Sequence, residues 1–193
     1  MIKTKQDLRY YMERDAVALG KKGQAHPRFF GDEIWKFQRL LRKCEYYSNL
    51  TGVKKRLLLP MTLLAKYRFK KMSLKLGFAI PLNVFAEGLS IAHYGTLVVN
   101  PNAKVGKNCR IHECVNIGST NGSDRAPVIG DNVFIATGAK IIGDISIADG
   151  VAIGAGAVVV KPIEEPNVTY GGVPAKKISD NGSCANLCPD LFE

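Results

Sequence analysis

Aliphatic residues recur at every sixth position between about Val99 and Val160. The series runs Val99, Val105, Ile111 and Ile117, then Ile129, Ile135, Ile141, Ile147, Ile153 and Val159. A second set follows four residues after most of these: Ala103, Cys109, Val115, Val133, Ala139, Ile145, Val151 and Ala157. Neither the 3.6-residue period of a helix nor the two-residue period of a strand produces this spacing. Six residues make one short strand and one turn. Three such units close a triangular coil of about eighteen residues, and stacked coils form a parallel β-helix. Asn102, Asn108, Asp131, Asn132, Asp149 and Gly150 fall between the strands, where residues that tolerate unusual backbone angles belong. The phase skips one position, Ser123. The polar stretch 119–127 around it reads as a loop thrown out of the coil, of the kind that collects on a binding face.

The repeat fills only about a third of a 193-residue chain, which has room for one or two domains. No apolar segment follows the polar, basic start, so no secretory signal is expected. The longest apolar run in the front half, Leu57 to Ala65, is interrupted by Pro60 and Thr62 and is far below the roughly 20 residues that cross a bilayer. A soluble, cytoplasmic protein is expected. The five cysteines are odd in number and match no zinc spacing. Cys109 lies in an inward phase of the repeat and reads as a small core residue, and no metal site is expected.

Charge is unevenly placed. Residues 1–79 carry 19 Lys and Arg against 6 acids, and the remainder carries 8 against 11. No nucleic-acid motif accompanies the basic segment, so nucleic acid is not an expected partner. Helices are expected from about Lys5 to Leu19, from Asp32, as cap, to Asn49, and from Leu63 to Leu76. Asp15 interrupts the apolar face of the first. The third interleaves Lys66, Arg68, Lys70, Lys71 and Lys75 with Tyr67, Phe69, Met72 and Leu74. Packing and oligomerisation with a solvated basic face is the preferred reading. Contact with an anionic membrane surface through Lys54, Lys55, Arg56 and the third helix is the secondary one. The expected layout is an α-helical domain over residues 1–79, a β-helix over 80–178 and a flexible tail over 179–193.

Three stretches carry a family resemblance. Ser90-Ile91-Ala92-His93-Tyr94-Gly95-Thr96, Asp124-Arg125-Ala126-Pro127 and Gly171-Gly172-Val173-Pro174-Ala175 resemble the bacterial serine O-acetyltransferases. The shorter relatives found with capsule or exopolysaccharide synthesis are the most similar, also in Glu13-Arg14-Asp15 and in Trp35-Lys36-Phe37-Gln38. The resemblance implies a left-handed coil, a trimer or dimer of trimers with sites between subunits, and acetyl transfer from acetyl-coenzyme A to a small hydroxyl acceptor. That chemistry needs a base that titrates near neutrality, two substrates held in line, donors for the oxyanion, and no metal.

Carried over by residue, the resemblance implies His93 as the catalytic base, with Asp124 and Arg125 on the acceptor. Gly154, Ala155, Lys161, Gly172, Lys176 and Lys177 correspond to the coenzyme groove and its phosphate contacts. Counting back by sixes from Val99 nevertheless puts His93 in the inward phase. His26 reads as a surface residue and His112 as a structural one. Three positions depart from the family. Phe78 and Ala92 stand where carboxylates that serve the histidine are usual, and Ala126 stands where a histidine follows the arginine. Glu87, Glu113 and Asp124 are the candidate replacement carboxylates. L-Serine is the first expected acceptor. A sugar or polysaccharide precursor is the alternative, and a catalytically silent scaffold is the reading from a different class.

Overall fold

The computed structural model describes residues 1–193. Four helices come first: α1 (Lys5–Ala18), α2 (Glu33–Asn49), α3 (Gly52–Leu57) and α4 (Leu59–Leu76). Thr4 and Asp7 form a reciprocal capping box at the start of α1, satisfying amide donors that the first turn leaves free. Asp32 precedes α2 but does not cap it. Its carboxylate is taken by Lys21 and Arg28, and its backbone is left-handed. The fourth helix begins earlier than Leu63 because Pro60 sits in its first turn, where proline costs no hydrogen bond. Gly77, at φ 80°, ends it and turns the chain into the coils.

Fourteen short strands follow: β1 (Phe78–Ala79), β2 (Ser90–Ile91), β3 (Leu97–Val99), β4 (Lys104–Val105), β5 (Arg110–Ile111), β6 (Asn116–Gly118), β7 (Val128–Ile129), β8 (Phe134–Ile135), β9 (Lys140–Ile142), β10 (Ser146–Ile147), β11 (Ala152–Ile153), β12 (Val158–Val159), β13 (Thr169–Gly171) and β14 (Lys176–Ser179). They form three faces of a prism. The first face is β1-β3-β6-β9-β12, the second β4-β7-β10, and the third β2-β5-β8-β11-β13 with β14 at its end. All pairings are parallel except β13 with β14. Residues that the period aligns stack in register, as in Ile91–Ile111–Ile135–Ile153 and Val99–Ile117–Ile141–Val159. Both aliphatic sets are buried, Cys109 among them, in one cluster of 31 residues that also takes in Phe37 and Leu41 of α2.

Two register defects matter. Ile111 and Ile117 are six residues apart, but their partners one coil earlier, Ile91 and Val99, are eight apart. Two extra residues therefore swell the corner that carries His93. Ile117 and Ile129 are twelve apart, and the surplus is the polar loop 119–127.

A buried ion cluster joins the helices to the first coil. Arg42 gives Asp15 two hydrogen bonds, at 2.8 and 3.2 Å, and Glu45 one at 3.0 Å. It also donates to the carbonyls of Phe85 and Ala86. Asp15 accepts in addition from the amides of Gly88 and Leu89. The carboxylate that breaks the apolar stripe of α1 thus points inward because its cation is buried there. Gln38 acts like a length of strand: it donates to the Leu89 carbonyl and accepts from the Ile91 amide.

The tail is packed, in contrast to the flexible segment expected over 179–193. It forms short helical turns at Cys184–Asn186 and Pro189–Leu191 and buries Ser183, Leu187 and Leu191. Arg14 of α1 donates to the Leu191 carbonyl, and Lys22 pairs with Asp190. Leu191 packs with Val17 and Ala18 of α1, and these contacts and hydrogen bonds together hold the segment down.

Candidate active site

Three corners separate the three faces. The corner leading from the third face to the first holds residues 92–96, 112–115, 136–139 and 154–157, one group per coil. His93 lies in the swollen first group and is exposed, not inward. The two-residue insertion moves it out of the phase that counting by sixes gave it. One coil on, His112 stands edge-on to it, with ring centroids 5.4 Å apart, and rests on Phe134 at 5.1 Å. Glu113 completes the group. One nitrogen or oxygen from each of His93, His112 and Glu113 lies within 4.8 Å of the others.

The electrostatics of the group are asymmetric. Burial lowers the pKa of His112, and the neighbouring Arg110 cation adds to this. The Thr137 hydroxyl beside Glu113 holds its carboxyl below the usual range, and both imidazoles contribute in the same direction. His112 Nε2 and Glu113 Oε2 are buried and have no hydrogen-bond partner. The arrangement is an ionised carboxylate and a neutral imidazole beside an exposed imidazole, the combination that orients a general base. The three atoms are also donors of metal-binding type. His112 lines, in addition, a cavity of about 560 Å³ between the end of α1, the third face and the tail, with Arg110, Phe134 and Cys188.

Of the candidate carboxylates, only Glu113 joins His93. Glu87 is buried at the preceding corner near Lys107, and Asp124 lies in the polar loop on a different corner. Phe78 is buried in edge contact with Phe37, so core packing occupies the place of a carboxylate. Reading His112 as structural misses its place beside His93. The signal was available: position 112 follows an inward residue at the point in the coil where position 136 is Ala and position 154 is Gly, so an imidazole there has to lie at the corner.

The other expected site residues divide by corner. Gly154 and Ala155 share the edge of His93, and Gly172 continues it beyond β13. A Cβ on Gly156 would meet nothing within 4 Å, so this edge stays open to a ligand chain. Asp124, Arg125 and Lys161 lie on the corner between the first and second faces, away from His93 in the same chain. The Arg125 guanidinium is exposed and pairs with Asp144 at 2.9 Å. Ala126 is turned into the core. Lys176 is exposed on β14, but Lys177 is already held by Glu165 and Asp180, at 2.7 and 2.6 Å.

The chain resembles known proteins in sequence and in fold. Residues 126–161 match the family described as bacterial transferase hexapeptide (six repeats). Over 98 residues, 50% of this chain, it is 38% identical to the serine acetyltransferase of Escherichia coli (strain K12), of which the match covers 36%. The chain thus spans well under half the length of the curated relatives it matches. The crystal structure of serine acetyltransferase from Brucella abortus strain S19 superposes with a TM-score of 0.71 at 28% identity, covering 93% of this chain and 72% of that one. The same enzyme in complex with coenzyme A gives 0.68 at 28% identity, over 92% and 70%. Residues 126–161 carry the bacterial transferase hexapeptide repeats, and the chain is similar, in sequence and in fold, to the serine acetyltransferases.

Proposed function

We propose that this protein is an acetyl-coenzyme A-dependent O-acetyltransferase whose first acceptor is L-serine. The observation that carries the reading is one edge of the prism: exposed His93 flanked by Glu113 and His112, with exposed backbone at Ala155, Gly156 and Gly172 farther along it. His93 takes the proton of the acceptor hydroxyl as its oxygen attacks the acetyl carbonyl. The tetrahedral adduct collapses with loss of the carbon–sulfur bond, and the proton passes from His93 to the departing thiolate. Glu113 stabilises the imidazolium that forms between these steps. His112, neutral, adds no repelling charge. No step runs through a metal. Lys176 meets the phosphates of the coenzyme in preference to Lys177, whose ammonium is engaged.

The coil is left-handed and the working unit a trimer in this reading. Arg125 lies on a corner that His93 does not share, so its acceptor-binding role needs the loop of a second copy against the His93 edge. A sugar hydroxyl is the second reading for the acceptor, and Ala126 favours it: the residue beside the arginine is a buried methyl that contributes no polar contact.

Thiol release from acetyl-coenzyme A, measured with L-serine, homoserine and amino sugars, tests the proposal. His93→Ala is expected to lower kcat by about 10²–10⁴-fold with the fold and coenzyme binding retained. Unchanged turnover in that variant would remove His93 from the chemistry. Release with sugars alone would replace serine as acceptor, and activity abolished by a chelator would replace the metal-free mechanism.

A further inference from the structure

Between Glu45 and Glu87 the chain has no acidic residue, yet it has eight cations, all on α3 and α4. None has a carboxylate within 4.0 Å. Large apolar side chains point outward among them. Leu57 is 73% exposed, Leu63 60%, Tyr67 66% and Leu74 72%. Leu63, Tyr67 and Leu74 stand at i, i+4 and i+11, which places them on one stripe of α4 opposite its buried residues Thr62, Ala65, Ser73 and Leu76. Beside that stripe runs a groove of about 510 Å³ between α2 and α4. Six cations line it: Lys36, Arg39, Lys43, Arg68, Lys71 and Lys75. Only Lys36 has a nearby acid, Glu33 at 3.9 Å. Its apolar floor includes Leu40 and Met72.

We propose that this face docks on an anionic phospholipid surface, with lipid phosphates in the α2–α4 groove and Leu57, Leu63, Tyr67 and Leu74 in the boundary between headgroups and acyl chains. Charge and apolarity select this occupant together. A second copy offering the same face would bring eight cations against eight. The rest of the chain, 19 basic against 17 acidic residues, carries no net negative charge to offset that repulsion. A soluble polyanion would satisfy the groove but leave the stripe in water. Lysines flanking leucine and tyrosine suit an interface, because their stems lie along apolar surface while the ammonium reaches phosphate. No helix is long and apolar enough to cross a membrane, so α3 and α4 lie on the surface. This order of preference reverses the one the sequence suggested, because the apolar residues face out of the chain among unpaired cations.

Co-sedimentation of the full chain with phosphatidylcholine vesicles, with and without phosphatidylglycerol, tests the docking. The wild-type protein should pellet only with the anionic vesicles and be released as salt rises. Arg68→Glu/Lys71→Glu/Lys75→Glu should weaken partitioning by at least about 100-fold, at roughly 1 kcal/mol per cation lost near the surface and with three repelling charges added. Leu63→Ser/Tyr67→Ser/Leu74→Ser should weaken it at least tenfold, with circular dichroism and sedimentation velocity unchanged. Four results would overturn the docking: no binding to either vesicle, equal binding to both, release by millimolar inorganic phosphate at constant ionic strength, or dissociation of a wild-type oligomer by the serine substitutions. The last would make the face a subunit contact. The salt titration of the wild-type chain decides the matter if a variant fails to fold.

Discussion

His112 illustrates how a single side chain is set by its neighbours. Burial and Arg110 lower its pKa in the folded protein, so on acidification the unfolded chain takes up this proton first. Stability contributed by the neutral imidazole is complete above about pH 6.5, the ordinary histidine value, and is lost as pH falls toward the folded pKa. Urea melts between pH 7.5 and 5 should show stability falling over this range in the wild type, with a shallower slope in His112→Gln. An equal slope would place the titration elsewhere. The cysteines give a second residue-scale test. Burial pushes the Cys109 thiol up to about 12 and the Cys44 thiol up to about 11, while Cys114 and Cys184 are exposed. A thiol-specific reagent at pH 8 should label Cys114 and Cys184 in the native protein, and Cys44 and Cys109 only after unfolding.

At the scale of elements, α1 and α2 are held to the first coil by polar groups as much as by packing. All five Arg42 N–H groups have acceptors. Arg42→Met leaves Asp15 and Glu45 buried without their cation and should cost about 3–5 kcal/mol in denaturant melts. Losing the exposed Arg125–Asp144 pair through Asp144→Ala should cost under about 1 kcal/mol. Equal losses would mean that the buried cluster contributes no more than a surface pair. Each coil is a layer of isoleucine and valine stacked on its equivalents, so Ile135→Ala in the middle of the stack should cost about 2–5 kcal/mol.

For the whole molecule, the informative fact is that His93 and Arg125 occupy different edges of the prism. If one copy supplies the base and another the acceptor clamp, His93→Ala and Arg125→Ala are each inactive as pure assemblies. Co-expression of the two should restore activity, because mixed assemblies contain some sites with both groups intact. Absence of any recovery would place both residues in the service of a site within one chain.

Much of this was legible in the residues. The six-residue period specifies stacked coils because each inward position must match its equivalent one layer away, and the register pairs bear this out from Ile91 to Ile153. The skipped position at Ser123 marked the loop, and Cys109 was readable as core. Other features depended on packing between segments distant in sequence. Asp15 looked like a flaw in a helix until Arg42, 27 residues away, gave it a partner. His93 counted as inward until the coils were aligned and the two-residue insertion showed itself. Glu113 was one of three candidate carboxylates, and His112 was read as structural, because the corner that joins them to His93 comes from neighbouring coils. The tail read as free because its few leucines signal nothing until α1 lies beneath them. The sequence alone determined the coil, since its repeat is local and self-similar. The tertiary structure alone decided which side chains meet at the corner, which ions are buried and which apolar stripe stays in solvent, since each of these depends on contacts that no local pattern encodes.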